Sequence, residues 1–218
     1  MDIKEPMESV RDAAVIMNNT LLAGREAVMQ ADREFVNNCL YLAEYEANKR
    51  FDGTVRIREW YEVYIGIFWR YGWIFEGNPV AMVERQFSGS VQQAWMNSVG
   101  RLVTIAQRAD VEAALAALEE SGQLLKKFTA LGGNIHKSLI VPMRYDARGD
   151  LTVVLSSVTL RKSVLTTTYL FWKIHQPLSQ LDIHANKLVI SRRTMDAHRA
   201  SVEEAIRQIP YPFEAVAI

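Results

Sequence analysis

The stretch LTVVLSSVTLRKSVLTTTYLFWKI, residues 151–174, consists largely of β-branched, aromatic and other apolar residues, a composition that favours β-strands. It predicts one strand over residues 151–160 and another over residues 164–175. In the second strand the side chains of both faces are largely apolar or β-branched, so Leu170 and Trp172 are expected in the interior. Such a strand is typical of the centre of a sheet that helices cover on both sides.

Two further strands are predicted around this stretch, over residues 137–145 and 181–191. The sequence DARGD, residues 146–150, supplies the turn after the first of them. The connections are short, whereas parallel neighbours would need a crossover of about a dozen residues or more. The strands therefore predict an antiparallel β-meander. A helix over residues 194–209 follows, ended by two prolines.

The part of the chain before this sheet favours helices. From about residue 8 to residue 50 there is no proline, and apolar residues recur at three- and four-residue steps. The Gly-Asn-Pro signal within residues 76–79 predicts the end of a second helix. Ser90 and Asp110 are placed as N-caps of two more helices.

This order of elements predicts one α+β domain over residues 1–218, in which N-terminal helical hairpins pack on a C-terminal antiparallel β-meander. Residues 1–131 are expected to be mainly helical, residues 137–191 to form the sheet, and residues 194–209 to form the closing helix. A chain of 218 residues with 49% hydrophobic content is large enough to bury a substantial core.

Composition excludes some classes of protein. Twenty-five basic residues balance 25 acidic ones, which argues against a nucleic-acid partner. The single cysteine, Cys39, cannot form an internal disulfide, and the N-terminal residues lack the basic and apolar pattern of a secretory signal. We therefore expect synthesis in the cytoplasm without a classical signal peptide.

A second unusual stretch is REWYEVYIGIFWRYGWIF, residues 58–75, which holds eight of the 21 aromatic side chains. Three charged residues in its body make it a poor transmembrane span. On a helix it would be apolar around most of its circumference, which is typical either of a core helix or of a segment at a membrane interface. The side chains predicted to contact a membrane or a partner are Trp60, Tyr64, Phe68, Trp69, Trp73 and Phe75.

Motifs for catalysis are missing from the sequence. The four histidines lack the spacing of metal ligands, although Asp182 and His184 would share one face of a strand. The tripeptide Arg148-Gly149-Asp150 fits a tight turn better than a recognition motif. We therefore predict a protein that is not an enzyme and has no catalytic, cofactor-binding or metal-binding residues.

The region from the DARGD turn through LTVVLSSVTLRKSVLTTTYLFWKI, LDIHANKLVIS and the helix MDAHRASVEEAI, ending at residue 206, resembles the Cyt-type cytolytic toxins of bacteria. The resemblance implies a bacterial toxin or virulence protein that is soluble, binds lipid membranes, oligomerises with copies of itself and permeabilises the membrane. In such a protein, packed helices move off a sheet that then presents its apolar surface to lipid. Release from the cell and action at target-cell membranes are implied as well.

Two other functions compete with this one. An effector or adaptor that binds another protein would keep the aromatic helix rigid and buried, with every tyrosine hydroxyl and indole N–H hydrogen-bonded. A small-molecule binder or enzyme would hold His175, Asp182 or His184 in a deep pocket between sheet and helices.

Overall fold

The computed structural model describes residues 14–17, 19–121, 128, 134–162, 173–210 and 215–217, without the side chains of 173–178 and 215–217. The described helices are α1 Gln30–Arg50, α2 Ile57–Arg70, α3 Val91–Val99, α4 Ile105–Glu120 and α5 Arg192–Arg207. The strands are β1 Ala14–Met17, β2 Thr20–Ala23, β3 Ile74–Ser90, β4 Ile135–Tyr145, β5 Leu151–Arg161, β6 Lys173–Ile190 and β7 Ala215–Ala217. A short 3₁₀ turn, Arg25–Ala27, precedes α1.

All seven strands form one sheet in the order β3-β6-β5-β4-β2-β1-β7. Neighbours are antiparallel except β2 and β4, which run parallel. Helices α1, α2 and α5 pack on one face and helices α3 and α4 on the other. The predicted α+β class is confirmed, and the fold has three layers: helix, sheet, helix.

Strand β5 shows why helices are needed on both faces. Leu151, Val153 and Leu155 point into the core under α1, α2 and α5. Val154 and Val158 point into the core under α3 and α4. The strand predicted over residues 151–160 is confirmed, and the structure shows it buried on both faces. Residues 163–172 lie outside the described part of the chain, so the burial of Leu170 and Trp172 stays a prediction.

The helix predicted over residues 8–50 is wrong where the described chain begins. Residues 14–17 and 20–23 form β1 and β2, and residues 30–50 form the long helix. Side chains of this hairpin alternate between the two cores, as Val15 and Ile16 show. A short apolar run that is buried on both faces lacks the polar positions that would distinguish a strand from a helix.

The predicted stop at residues 76–79 is also wrong, because these residues lie inside β3. The pairing of β3 with β6 shifts between Glu76 and Val80, which marks a bulge, and Gly77 takes a left-handed φ of 75° there. Strand β3 is at the edge of the sheet. A bulged edge strand tolerates Pro79, since its missing N–H leaves no ladder bond unmade.

The helix starts were predicted with mixed success. The Ser90 hydroxyl accepts a hydrogen bond from the Gln93 backbone N–H and caps α3, as expected. Helix α4 starts earlier than predicted, where Thr104 and Gln107 form a capping box. Asp110 therefore lies within α4, where its carboxylate accepts two hydrogen bonds from Arg144 of β4, at 2.6 and 2.7 Å. This pair fastens the α3–α4 layer to the sheet.

Candidate functional site

The aromatic segment forms a helix and the start of a strand rather than one helix over residues 58–75. Helix α2 ends at Arg70, and Gly72 reverses the chain into β3 with a φ of 86°. A Cβ atom on Gly72 would lie 2.5 Å from Cγ2 of Thr194 in α5. Both the left-handed backbone and this close approach require glycine. Trp73 and Phe75 consequently lie beyond the helix.

Trp60, Tyr64 and Phe68 form one buried stripe on α2, and Trp73 continues it after the turn. Ring centroids are 4.9 Å apart for Trp60 and Tyr64, 5.9 Å for Tyr64 and Phe68, and 5.6 Å for Phe68 and Trp73. Residues four apart meet on one face of a helix, which explains the contacts within α2. These four residues, all fully buried, are called the inner stripe below.

The polar atoms of the buried aromatic residues are only partly satisfied. The Trp60 indole N–H donates to Asn48 Oδ1 at 2.7 Å, and the Tyr61 hydroxyl donates to the Leu155 carbonyl at 2.8 Å. Among the described residues the Tyr64 hydroxyl has no hydrogen-bond partner, and burial raises its pKa well above the ordinary value. The Trp73 indole lies beside the weakly accepting thiol of Cys39, whose pKa burial raises to about 12. The full pairing expected of a rigid interaction module is therefore not met.

The same segment also holds large apolar side chains that are exposed. The exposed fraction is 70% for Trp69, 69% for Ile74 and 40% for Phe75. These three residues, called the apolar tip below, lie on either side of the Tyr71–Gly72 turn. Of the six predicted contact residues, the structure thus places four in the core and leaves Trp69 and Phe75 exposed. Sequence reasoning missed Ile74, which was counted only as part of the apolar circumference.

Asp32, near the start of α1, ties the helices of this layer to the sheet. Its carboxylate is almost fully buried, forms ion pairs with Arg192 and Arg199 of α5, and accepts a hydrogen bond from the Tyr145 hydroxyl of β4 at 2.5 Å. Buried ion clusters hold their elements in one arrangement, and removal of one partner is costly. Sequence reasoning missed Asp32 because its partners lie more than 100 residues away.

Lys137 of β4 lies under the turn between α1 and α2. The residue is 5% exposed, and its Nζ is 2.7 Å from the centre of the Trp60 ring. A side chain at Gly53 would collide with this ammonium group. Burial lowers the pKa of Lys137 to about 7, and the acidic groups of Glu44 and Asp52 oppose this shift only in part. An ionisable group therefore lies at the contact between the aromatic helix and the sheet.

The enzyme hypothesis named His175, Asp182 and His184. Asp182 and His184 share the α2 side of β6, but both Asp182 oxygens accept from Gln180, at 2.9 and 3.0 Å. Burial lowers the pKa of His184, whose ring lies 5.7 Å from that of Tyr61. Of His175 only the backbone is described. In the described ranges, no cluster of three His, Cys, Asp or Glu side chains has the arrangement of a metal site.

Arg148 has internal partners in its turn. Its guanidinium donates to Asp146 Oδ2 at 3.0 and 3.1 Å, and Asp146 also accepts from the backbone N–H groups of Arg148 and Asp150. The turn interpretation of this tripeptide agrees with these contacts. None of the helices in the described ranges has the length and apolar character to span a bilayer.

Comparisons with known proteins find similarity in structure only. No family model and no curated sequence matches the chain. The solved structure of activated monomeric Cyt2Ba from Bacillus thuringiensis subsp. israelensis matches with a TM-score of 0.51 and 13% identity, over 79% of this chain and 97% of that one. A delta-endotoxin matches with a TM-score of 0.50 and 13% identity, over 88% of each chain. The Evf virulence factor matches with a TM-score of 0.40. The protein has the fold of the Cyt-type toxins.

Proposed function

We propose that this protein binds lipid membranes and permeabilises them as a homo-oligomer. The fold it shares with Cyt2Ba and a delta-endotoxin supports the proposal, as does the resemblance of its C-terminal half to cytolytic toxins. The observation that carries the proposal is the apolar tip, where three large apolar side chains are exposed within residues 69–75.

The apolar tip suits a first contact with a bilayer. Tryptophan favours the interface between lipid and water, because it joins a large apolar body to a polar N–H. Transfer of the exposed parts of Trp69, Ile74 and Phe75 from water to the lipid interface would contribute roughly 4–5 kcal/mol at about 25 cal/mol per Å². This corresponds to an affinity on the order of 1 mM, enough for contact but too weak for stable anchoring.

Stable attachment then requires more apolar surface, and the sheet can supply it. Strand β5 and the described part of β6 carry apolar side chains on both faces, each covered by helices. Because only a short turn joins α2 to β3, insertion of the tip into lipid would displace α2. Displacement of α2 would weaken the packing of the inner stripe and the Tyr61–Leu155 hydrogen bond. Departure of the α1–α2–α5 layer would expose one sheet face to lipid and to other copies of the chain.

The proposal is tested by dye release from liposomes at neutral and at acidic pH. The purified protein should release dye, and a Trp69→Ala/Ile74→Ala double variant should release it much more slowly. The matched control is Ile105→Ala, which removes a 91% exposed apolar side chain from α4 in the opposite layer and should not change release. Equal release by all three proteins, or no release by any, would contradict the proposal.

Binding to another protein is the second candidate, favoured by the burial of the inner stripe. In that case the apolar tip would be a small contact surface for a partner, and the helices would stay on the sheet. The absence of dye release by a protein whose Trp69 emission nevertheless changes with a cellular partner would favour this function.

A further inference from the structure

The sheet carries a group of polar side chains on its α2 side. Lys137 of β4, Thr159 of β5 and Asp182 of β6 are paired directly across the three strands, and each is at most 5% exposed. Residues that are opposed in this way share one face of a sheet. Ser157 and His184 form the next pair along the same face. We call these five residues the polar patch.

Two neighbouring aromatic residues of α2 cover the basic groups of the polar patch. The Trp60 ring lies over the Lys137 ammonium group, and the Tyr61 ring lies 5.7 Å from the ring of His184. Both aromatic side chains are almost fully buried. Each base therefore regains full contact with water only when α2 moves away from the sheet.

The charged groups around Lys137 do not compensate for its loss of water. Glu44 of α1 and Asp52 of the α1–α2 turn favour the protonated amine, as does the face of the Trp60 ring. Arg161 of β5 adds a positive charge beside them and donates to a carbonyl of the same turn. Burial is the largest effect and lowers the pKa of Lys137 to about 7.

His184 lies among charges of both signs. Asp182 on its own strand and Glu62 of α2 favour the imidazolium, whereas Arg58 of α2 opposes it. The residues of β3 that pair with this part of β6 on the same face are uncharged. Burial is again the largest effect and lowers the pKa of His184.

The hydroxyl groups of the polar patch are also poorly served by burial. Ser157 Oγ and Thr159 Oγ1 are buried, and neither has a hydrogen-bond partner among the described residues. An unpaired buried hydroxyl is destabilising, because water would satisfy it. The polar patch therefore gains hydrogen bonds when α2 leaves the sheet.

We propose that the polar patch is a pH-sensitive switch, which keeps α2 on the sheet while Lys137 and His184 are neutral and releases it when they take up protons. The inference rests on the proposed function and adds its regulation. Because burial lowers the pKa of both bases, the packed state loses stability as the pH falls. Lys137 acts between about pH 10.4 and pH 7, and His184 acts below its ordinary pKa of about 6.5.

The test uses the full chain and its own thiol. Cys39 of α1 is fully buried in the core beneath the α1–α2–α5 layer, so a pyridyl disulfide reaches it only when this layer opens. The labelling rate, divided by that of the urea-unfolded chain at the same pH, gives the open fraction. We expect the open fraction to rise roughly thirtyfold from pH 9 to pH 7 and to rise again on acidification to about pH 5.5.

Variants assign each step to one base. Lys137→Met should abolish the rise between pH 9 and pH 7, and His184→Gln should remove most of the rise below pH 7. The matched controls, Lys187→Met and His198→Gln, should keep both steps. Lys187 lies on the opposite face of β6, and His198 of α5 contacts Tyr71 away from the polar patch.

Three results would overturn the inference: an equal open fraction at all three pH values, pH steps that Lys137→Met and His184→Gln both retain, or labelling with the same urea dependence as global unfolding. If Lys137→Met does not fold, NMR of isotope-labelled lysine side chains in the wild type replaces it. Titration of Lys137 near pH 7 supports the switch, and an amine that stays charged at pH 9 contradicts it.

Dye release from liposomes at the same pH values separates this inference from the proposed function. If Cys39 labelling follows the expected steps and no vesicle leaks, the switch stands and permeabilisation fails. If vesicles leak equally at all pH values while the open fraction stays constant, the switch fails and the membrane function stands.

Discussion

The inner stripe and the apolar tip belong to the same aromatic segment and meet opposite environments. Trp60 stacks on Tyr64, donates its N–H to Asn48 and covers Lys137. Trp69, nine residues later in the chain, is 70% exposed. The difference teaches that aromatic content alone does not indicate which side chains are buried, because one segment holds both buried and exposed aromatic side chains.

The largest expected difference between the two regions is in stability. Trp60→Ala should lower the free energy of unfolding by about 3–5 kcal/mol, since it removes a fully buried side chain and leaves a cavity. Trp69→Ala should change it by less than about 0.5 kcal/mol, because an exposed side chain has few contacts to lose. Urea denaturation of both variants measures the contrast. Similar losses in the two variants would show that the tip is packed in solution.

The pH dependence of stability tests the burial of Lys137 beside Trp60 of the inner stripe. In the folded protein Lys137 loses its proton near pH 7, whereas the unfolded chain holds it up to about pH 10.4. Between these values the unfolded state binds more protons, so stability rises with pH. The penalty for the buried charge is complete below pH 7 and is gone above pH 10.4.

The expected gain is about 2 kcal/mol between pH 7 and pH 9. Lys137→Met, which keeps an unbranched side chain on Trp60 without a charge, should remove this part of the pH dependence. Denaturation midpoints of both proteins at the two pH values provide the measurement. If Lys137→Met shows the same gain in stability between the two pH values as the wild type, other titratable groups cause that gain.

The smallest effect is expected far from both regions, at the turn between β4 and β5. Arg148→Ala should leave stability and dye release almost unchanged, because exposed ion pairs contribute little. Loss of cell binding in this variant alone would instead identify the Arg148-Gly149-Asp150 turn as a recognition site.

Much of the sheet could be predicted from sequence, and the reasons for the exceptions are physical. Strands β4 and β5 were predicted from the β-branched residues of 137–145 and 151–160 and from the turn residues between them. The hairpin β1–β2 could not be distinguished from a helix over so short an apolar run. Strand β3 was not predicted, because Pro79 indicated the end of a helix, whereas edge strands tolerate proline at a bulge.

The candidate site could be predicted only as a set of residues. The sequence identified the aromatic segment, but a helix that is apolar around most of its circumference does not indicate which side packs on the sheet. The four-residue spacing of Trp60, Tyr64 and Phe68 was a usable signal for the inner stripe. Asp32 and Lys137 depend on contacts between distant parts of the chain, which no local pattern contains.

The central claim is that the α1–α2–α5 layer leaves the sheet when the apolar tip meets lipid. A disulfide between α2 and β5, placed next to the Tyr61–Leu155 hydrogen bond in a Cys39→Ala background, tests it most directly. The account predicts that the oxidised protein releases no dye from liposomes and that reduction restores release to the level of the Cys39→Ala parent. Equal release by the oxidised and the reduced protein would contradict the claim.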